Sequence, residues 1–370
     1  MNIAPSEDLK VSEAILIKDQ LGDPIDNILH LTFHFFLKML AYRNKFALPS
    51  LPPPDSFKGQ HILITGASSG LGLASAVHFV NLGASSVIIT ARTTAKGLAA
   101  KAEIETATNT VGKDVVKVME LDMSTFAGTL AFAERVKAEV KELDVVLLNA
   151  GIFPTSFRLS QEGWEESIQV HVLGTGLLAL ELLPWLKKLG GGKKHMSFVA
   201  SGNHRTVKIR KADGWPQEDV LGFWSQNENF GKMEMYSVSK LLEQYVVNEI
   251  AKLSSPEVIV NPLCPGSVKT DLAREFKTNF LMSMAVNGYM NIMSKTAAGG
   301  ARSLVLTALT PPEDNGKHIT HYQSDKDYKN AVQHNVLGPE GQKMQTQVWK
   351  EVLDILEKAV PGVKSIAHAA

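Results

Sequence analysis

Gln60–Leu73 reads Q-H-I-L-I-T-G-A-S-S-G-L-G-L, and its two halves ask different things of the backbone. His61-Ile62-Leu63-Ile64-Thr65 is a short apolar run suited to a strand covered on both faces. Gly66, Gly70 and Gly72 follow at a G-x-x-x-G-x-G spacing, and Leu73–Leu82 reads as a helix. A strand that turns sharply into a helix leaves free N–H groups and the positive end of the helix dipole at the turn. Glycines there let a pyrophosphate approach the backbone closely. The residues of the turn, Gly66, Ser69, Gly70, Leu71 and Gly72, are therefore cofactor-binding candidates, against the plainer alternative of a glycine-rich turn with no ligand.

A chain of 370 residues is long enough for one large α/β domain with additions or for two modest domains. Lys plus Arg and Asp plus Glu both number 38, so no net field draws the protein to nucleic acid or to an anionic surface. The single cysteine, Cys264, excludes an internal disulfide and fits a reducing, cytoplasmic setting. The acidic, polar start (Ser6, Glu7, Asp8) is unlike a secretory signal, and the terminal Ala367-His368-Ala369-Ala370 is unlike a peroxisomal or retention tag. Ile28–Tyr42 is apolar but interrupted by His30, His34 and Lys38, and too short to span a bilayer. It reads as a helix packed on the protein or a second subunit, or else as an interfacial helix in peripheral contact with a membrane.

Residues 1–56 form an N-terminal extension ending in the stiff Leu51-Pro52-Pro53-Pro54 connector, and residues 57–335 form the main domain. Within it, apolar strand-like runs at Ser86–Thr90, Val115–Leu121, Asp144–Leu148, Lys194–Ala200, Val258–Asn261 and Lys317–Tyr322 alternate with helical stretches. With the first strand this predicts an α/β fold: a doubly wound, parallel, seven-stranded sheet with helices on both faces, plus the N-terminal helical extension. Right-handed crossovers then bring all strand C-terminal ends to one edge, where ligands bind. Two long segments leave from that edge and read as lids: 202–235, with Trp215, Phe223, Trp224 and Phe230, and 271–295, rich in Met. Residues 336–370 hold a terminal helix at Pro339–Val360 and a tail.

Tyr236-Ser237-Val238-Ser239-Lys240 places a phenol and an ammonium one helical turn apart on one face. An ordinary phenol titrates near ~10, and a neighbouring ammonium brings it toward the working range. Behind a strand ending Phe198-Val199-Ala200-Ser201, the pair reads as acid–base chemistry rather than a solvated helix face.

Five motifs in order now resemble the short-chain dehydrogenase/reductase family over roughly Lys58 to Tyr322. They are Thr65-Gly66…Gly70…Gly72, Asp122, Asn149-Ala150-Gly151, Ser201 with Tyr236 and Lys240, and Pro265-Gly266. The resemblance implies a Rossmann-type sheet, with Tyr236 as general acid for carbonyl reduction or base for alcohol oxidation. It implies that Lys240 lowers the phenol's pKa and holds the nicotinamide ribose, and that Ser201 hydrogen-bonds the substrate oxygen. Asn149 and Gly151 would line the cofactor cleft, Asp122 would sit by the adenine, and Pro265, Val268 and Thr270 would hold the carboxamide. It also implies a homodimer paired through helices beside the fourth and fifth strands, unless the N-terminal extension alters that surface.

The second strand ends Thr90-Ala91-Arg92 with Lys96 beyond and no carboxylate to repel a 2′-phosphate, so the cofactor reads as NADP(H). The Arg-x-x-x-Lys arrangement is similar to that of retinol-dehydrogenase-like members. The extension and insertions are similar to fungal-type members that reduce polyketide-like or terpenoid intermediates, and the aromatic and Met content of 202–294 suggests a bulky apolar substrate.

Two features depart from the family pattern. Val170-His171-Val172-Leu173-Gly174 has His where many members have an Asn that supports a proton relay; His171 is a candidate relay group or a hydrogen-bonded interior residue. The interval from Ser201 to Tyr236 is long for the family, so the insertion must loop out. A lone cysteine and scattered histidines offer no metal set, and Ser201 lies in no G-x-S-x-G elbow. A non-catalytic dinucleotide sensor and a redox-neutral dehydratase or epimerase remain the rival classes.

Overall fold

The structure is a computed structural model, and it describes residues 42–270, 290–291 and 293–368. The expectations for Ile28–Tyr42, other than Tyr42 itself, and for most of the Met-rich stretch 271–295 fall outside the described residues.

Six strands form one parallel sheet: β1 (His61–Ile64), β2 (Ser86–Ala91), β3 (Val116–Glu120), β4 (Val145–Leu148), β5 (Lys194–Val199) and β6 (Val258–Leu263). Their order is β3-β2-β1-β4-β5-β6, so the chain reverses direction across the sheet between β1 and β4. Period-two alternation explains why both faces are apolar. Ile62, Ile64, Val87, Ile89, Val145 and Leu147 point into one core, and Leu63, Ile88, Val146 and Leu148 into the other. The first core is covered by α1 (Gly70–Asn81) and α2 (Thr94–Thr108), and the second by α3 (Phe126–Glu139) and α4 (Thr175–Lys188).

The insertion carries the short α5 (Val220–Trp224); α6 (Lys232–Ser254) follows, then α7 (Ala297–Thr307), α8 (Asp325–Ala331), α9 (Pro339–Ala359) and α10 (Val363–His368). The helical run Ile168–Lys188 is long and apolar enough to cross a membrane, but 83% of its apolar window is buried inside the protein. It is a core helix.

Two expectations are corrected. Among the described residues the sheet has six strands rather than seven, because Lys317–Tyr322 meets β6 at one parallel bridge, Ile319 to Leu263. Pro262 has no N–H to donate toward it, and the Val260 N–H is taken by the Asn315 side chain at 2.8 Å. The second correction concerns the 202–235 insertion, which is not a lid over its length. Its Trp215 and Trp224 are buried in the core and packed on each other, and Glu351 of α9 accepts the Val220 and Leu221 N–H groups.

Candidate active site

The glycine turn is stitched to its neighbours by three polar side chains. Thr65 Oγ1 accepts the N–H groups of Asn149 and Ala150 at 2.9 and 3.0 Å, and Asn149 Nδ2 donates back to the Thr65 and Gly66 carbonyls. Thr90 Oγ1 and Thr90 O take the Gly66 and Ala67 N–H groups. The ends of β1, β2 and β4 are thus one unit. Gly66 sits at φ +64, and a Cβ there would lie 2.7 Å from Ala150 Cα, so no other residue fits. Ser69 precedes α1 and its side chain makes no capping bond, and a helix start of this kind presents N–H groups suited to an anion. Thr270 faces Gly70 across this cradle. The geometry fits an anionic dinucleotide.

Arg92 and Lys96 are both exposed at the end of β2 and the start of α2. The sequence reading overlooked one carboxylate here: Glu120 on β3 is the register partner of Ala91. Its Oε2 is engaged by the Thr94 N–H and hydroxyl at 3.2 and 2.9 Å. Asp122 Oδ1 accepts from Ser124 N and Oγ, closing the turn after β3, and the residue is exposed.

Ser201 follows β5 and Tyr236 rises on α6, and the Ser201 hydroxyl comes near enough to the phenol to act on its ionisation. The long interval between them is absorbed by the insertion. Phe153, from the loop after β4, stacks on the Tyr236 ring with centroids 4.5 Å apart, and Phe157 meets Phe230 edge-on at 5.9 Å. These aromatics stand where Trp215 and Trp224 were expected to. Burial raises the Tyr236 phenol above its ordinary range; the Ser201 hydrogen bond acts against this, while Cys264 and Glu243 add to it. Lys240 stands one turn further along α6. Its ammonium, buried, donates to Val199 O at 3.0 Å and to Glu243 Oε2 at 2.8 Å.

His171 lies in a π-helical turn, Ile168–Gly174, with its ring edge toward Tyr236. Nε2 accepts the Ile152 N–H at 3.1 Å, so the proton is on Nδ1, which donates to Ser239 Oγ at 2.9 Å. Burial first, and then Lys240, hold it neutral, well below its ordinary range. With both nitrogens engaged, the ring fixes Gly151-Ile152 against α6.

The Pro265-Gly266 segment is held by residues the sequence reading did not single out. Asn44, from the N-terminal extension, donates to Ser267 O, and its Oδ1 accepts from Lys295 Nζ at 3.1 Å. That oxygen fills the space where a Cβ on Gly266 (φ +77) would stand. Val268 bridges Lys295. Cys264 Sγ accepts from Gly202 N, Gly266 N and Tyr322 Oη, so it joins the Ser201 turn to the Pro-Gly turn. No short-range pattern marks Asn44, or links Cys264 to Gly202 and Tyr322, because these partners are far away in sequence. Among the described residues no group of three His, Cys, Asp or Glu side chains is placed to hold a metal.

Residues 60–203 match the family model described as short chain dehydrogenase. The short-chain dehydrogenase/reductase ffsI of Aspergillus flavipes is 36% identical over 323 residues, covering 86% of this chain and 92% of the relative. The short-chain dehydrogenase/reductase phmF of Phaeosphaeria nodorum is 36% identical over 332 residues, covering 88% and 95%. Levodione reductase superposes with a TM-score of 0.55 at 20% identity, covering 71% of this chain and 96% of that one. A short chain dehydrogenase from Shigella flexneri, complexed with NADP, does so at 0.52 and 22%, covering 72% and 97%. The chain belongs to the short-chain dehydrogenase/reductase family, oxidoreductases that work with a nicotinamide dinucleotide.

Proposed function

We propose that this protein is an NADP(H)-dependent reductase of bulky, apolar carbonyl compounds, with Tyr236 as the proton donor. The observation that carries the reading is the meeting of Ser201 and Tyr236 at the sheet edge, one turn from Lys240 and beside the glycine turn that opens α1. When bound, the nicotinamide dinucleotide supplies the hydride. The turn residues Gly66, Ser69, Gly70, Leu71 and Gly72 would hold its pyrophosphate, and Arg92 and Lys96 a 2′-phosphate. Asp122, Asn149 and Gly151 would line the adenine and ribose side, Lys240 the nicotinamide ribose, and Pro265, Val268 and Thr270 the carboxamide.

The chain's own part is positional and acid–base. Ser201 Oγ donates to the substrate oxygen, which orients the carbonyl and stabilises the charge that grows there. Tyr236 Oη delivers the proton to the same oxygen. A phenol raised by burial is protonated at neutral pH, which supports the reductive direction. Phe153 supports an apolar substrate, since its ring stacks on that of Tyr236.

The test pairs cofactor and substrate. Wild type is expected to bind NADPH at least ~10-fold more tightly than NADH, with Arg92→Asp reversing the order. Equal affinities in both proteins would remove the cofactor choice. Bulky aromatic ketones are expected to be reduced faster than small aliphatic ones, with Phe153→Ala narrowing the gap; an equal rate across sizes would remove the substrate class.

A further inference from the structure

We propose that Glu243 is a positioning residue of the catalytic pair: it holds the Lys240 ammonium and keeps Tyr236 in its proton-carrying form. The inference rests on the reductase reading above and deepens it. Lys240 and Glu243 are three residues apart on α6, both buried, and joined at 2.8 Å. A carboxylate sealed from water so close to a lysine is costly unless it is paired, so its place beside this particular ammonium is specific. The second bond of Lys240, to Val199 O, fixes the pair to the strand that leads into Ser201. The site therefore contains a compensating negative charge beneath the phenol, and an unneutralised ammonium would act on that phenol much more strongly.

The surroundings offer little else to set the balance. Tyr236 is faced by Ser201 after β5, by Cys264 at the end of β6 and by the His171 ring from the π-helical turn. His171 is held neutral. His318 reaches α6 at Gln244, where its Nδ1 lies 3.0 Å from Oε1, and His204 packs on His318; burial lowers both. Arg205 stacks over Tyr322 and donates to Gly202 O. Burial raises the Glu243 carboxyl and Lys240 draws it down again, while Glu243 itself raises the phenol. The sign follows: removing the carboxylate favours phenolate, so Tyr236 ionises at lower pH.

The experiment is an ultraviolet titration of tyrosine ionisation in the cofactor-free protein, with Tyr236→Phe subtracted, for wild type and Glu243→Gln. In wild type, Tyr236 is expected to ionise after the exposed tyrosines, and Glu243→Gln to bring it down by about one unit or more. In the loaded enzyme the falling alkaline limb of ketone reduction and the rising limb of alcohol oxidation should both move to lower pH. A purely structural defect would lower both rates without moving either limb. If Glu243→Gln does not fold, Glu243→Asp takes its place, its carboxylate drawn back from Lys240, with a shift of about half a unit in the same direction. An unmoved titration in the folded variant overturns the proposal. Absence of turnover in wild type would instead overturn the reductase reading and leave the titration to judge Glu243.

Discussion

Gly66 is where the turn is tightest, and replacing it separates steric from conformational cost. Gly66→Ala drives a methyl against Ala150 Cα in addition to requiring φ +64, so it is expected to destabilise by about 2–4 kcal/mol and to abolish dinucleotide binding. Gly112→Ala is the control, with φ +75 but nothing within 4 Å, and should cost about 1 kcal/mol and leave binding intact. Denaturant titration and cofactor fluorescence measure both; equal losses in the two variants would contradict the packing argument. At this scale, the residues legible in the sequence were those whose chemistry is tied to local spacing, such as the glycines and the Tyr236–Lys240 pair. Glu243 was equally local but went unread, because a carboxylate at i+3 from a lysine is usually a solvated helix pair. Only burial gives it meaning. His171 was ambiguous for a related reason: its role is set by Ile152 and Ser239, neither of which a one-dimensional pattern brings to it.

At the level of elements, the edge of the sheet opposite the site is tied by Asp144. Its Oδ2 accepts the His61 N–H and its Oδ1 the buried Lys194 ammonium, each at 2.8 Å, which joins the starts of β1, β4 and β5. Asp144→Asn leaves Lys194 buried without a counter-charge and is expected to cost about 3 kcal/mol by chemical denaturation. A loss below ~0.5 kcal/mol would show the clamp to be idle. Trp215→Ala should cost about 3 kcal/mol as well, by emptying core beside α9, with cofactor affinity unchanged in the folded protein. A changed affinity would return the insertion to the pocket. The apolar strands and their order of appearance were readable because each carries its own period. The seventh strand was over-read, since Lys317–Tyr322 has a strand's composition but Pro262 denies it a partner N–H. The insertion was over-read in the other direction, because aromatic content says that a segment needs burial without saying what it is buried against.

For the molecule as a whole, the buried and half-buried histidines set the response to acid. Burial is the main cause that lowers His195, His204 and His321 to about 4 from 6.5. Between those values the unfolded chain binds protons that the folded chain does not, so stability falls as pH drops from 6.5 toward 4. His204, fully buried, contributes on the order of 3 kcal/mol to this loss. Thermal unfolding across that window should show a steep decline, which His204→Gln makes shallower; a flat profile would mean that the rings stay hydrated. The central claim is tested most directly by following NADPH consumption with a bulky aromatic ketone in wild type and Tyr236→Phe, at saturating cofactor. The account predicts steady turnover in wild type and a loss of at least ~1000-fold in the variant, with NADPH affinity unchanged. Comparable turnover in the two proteins would contradict it.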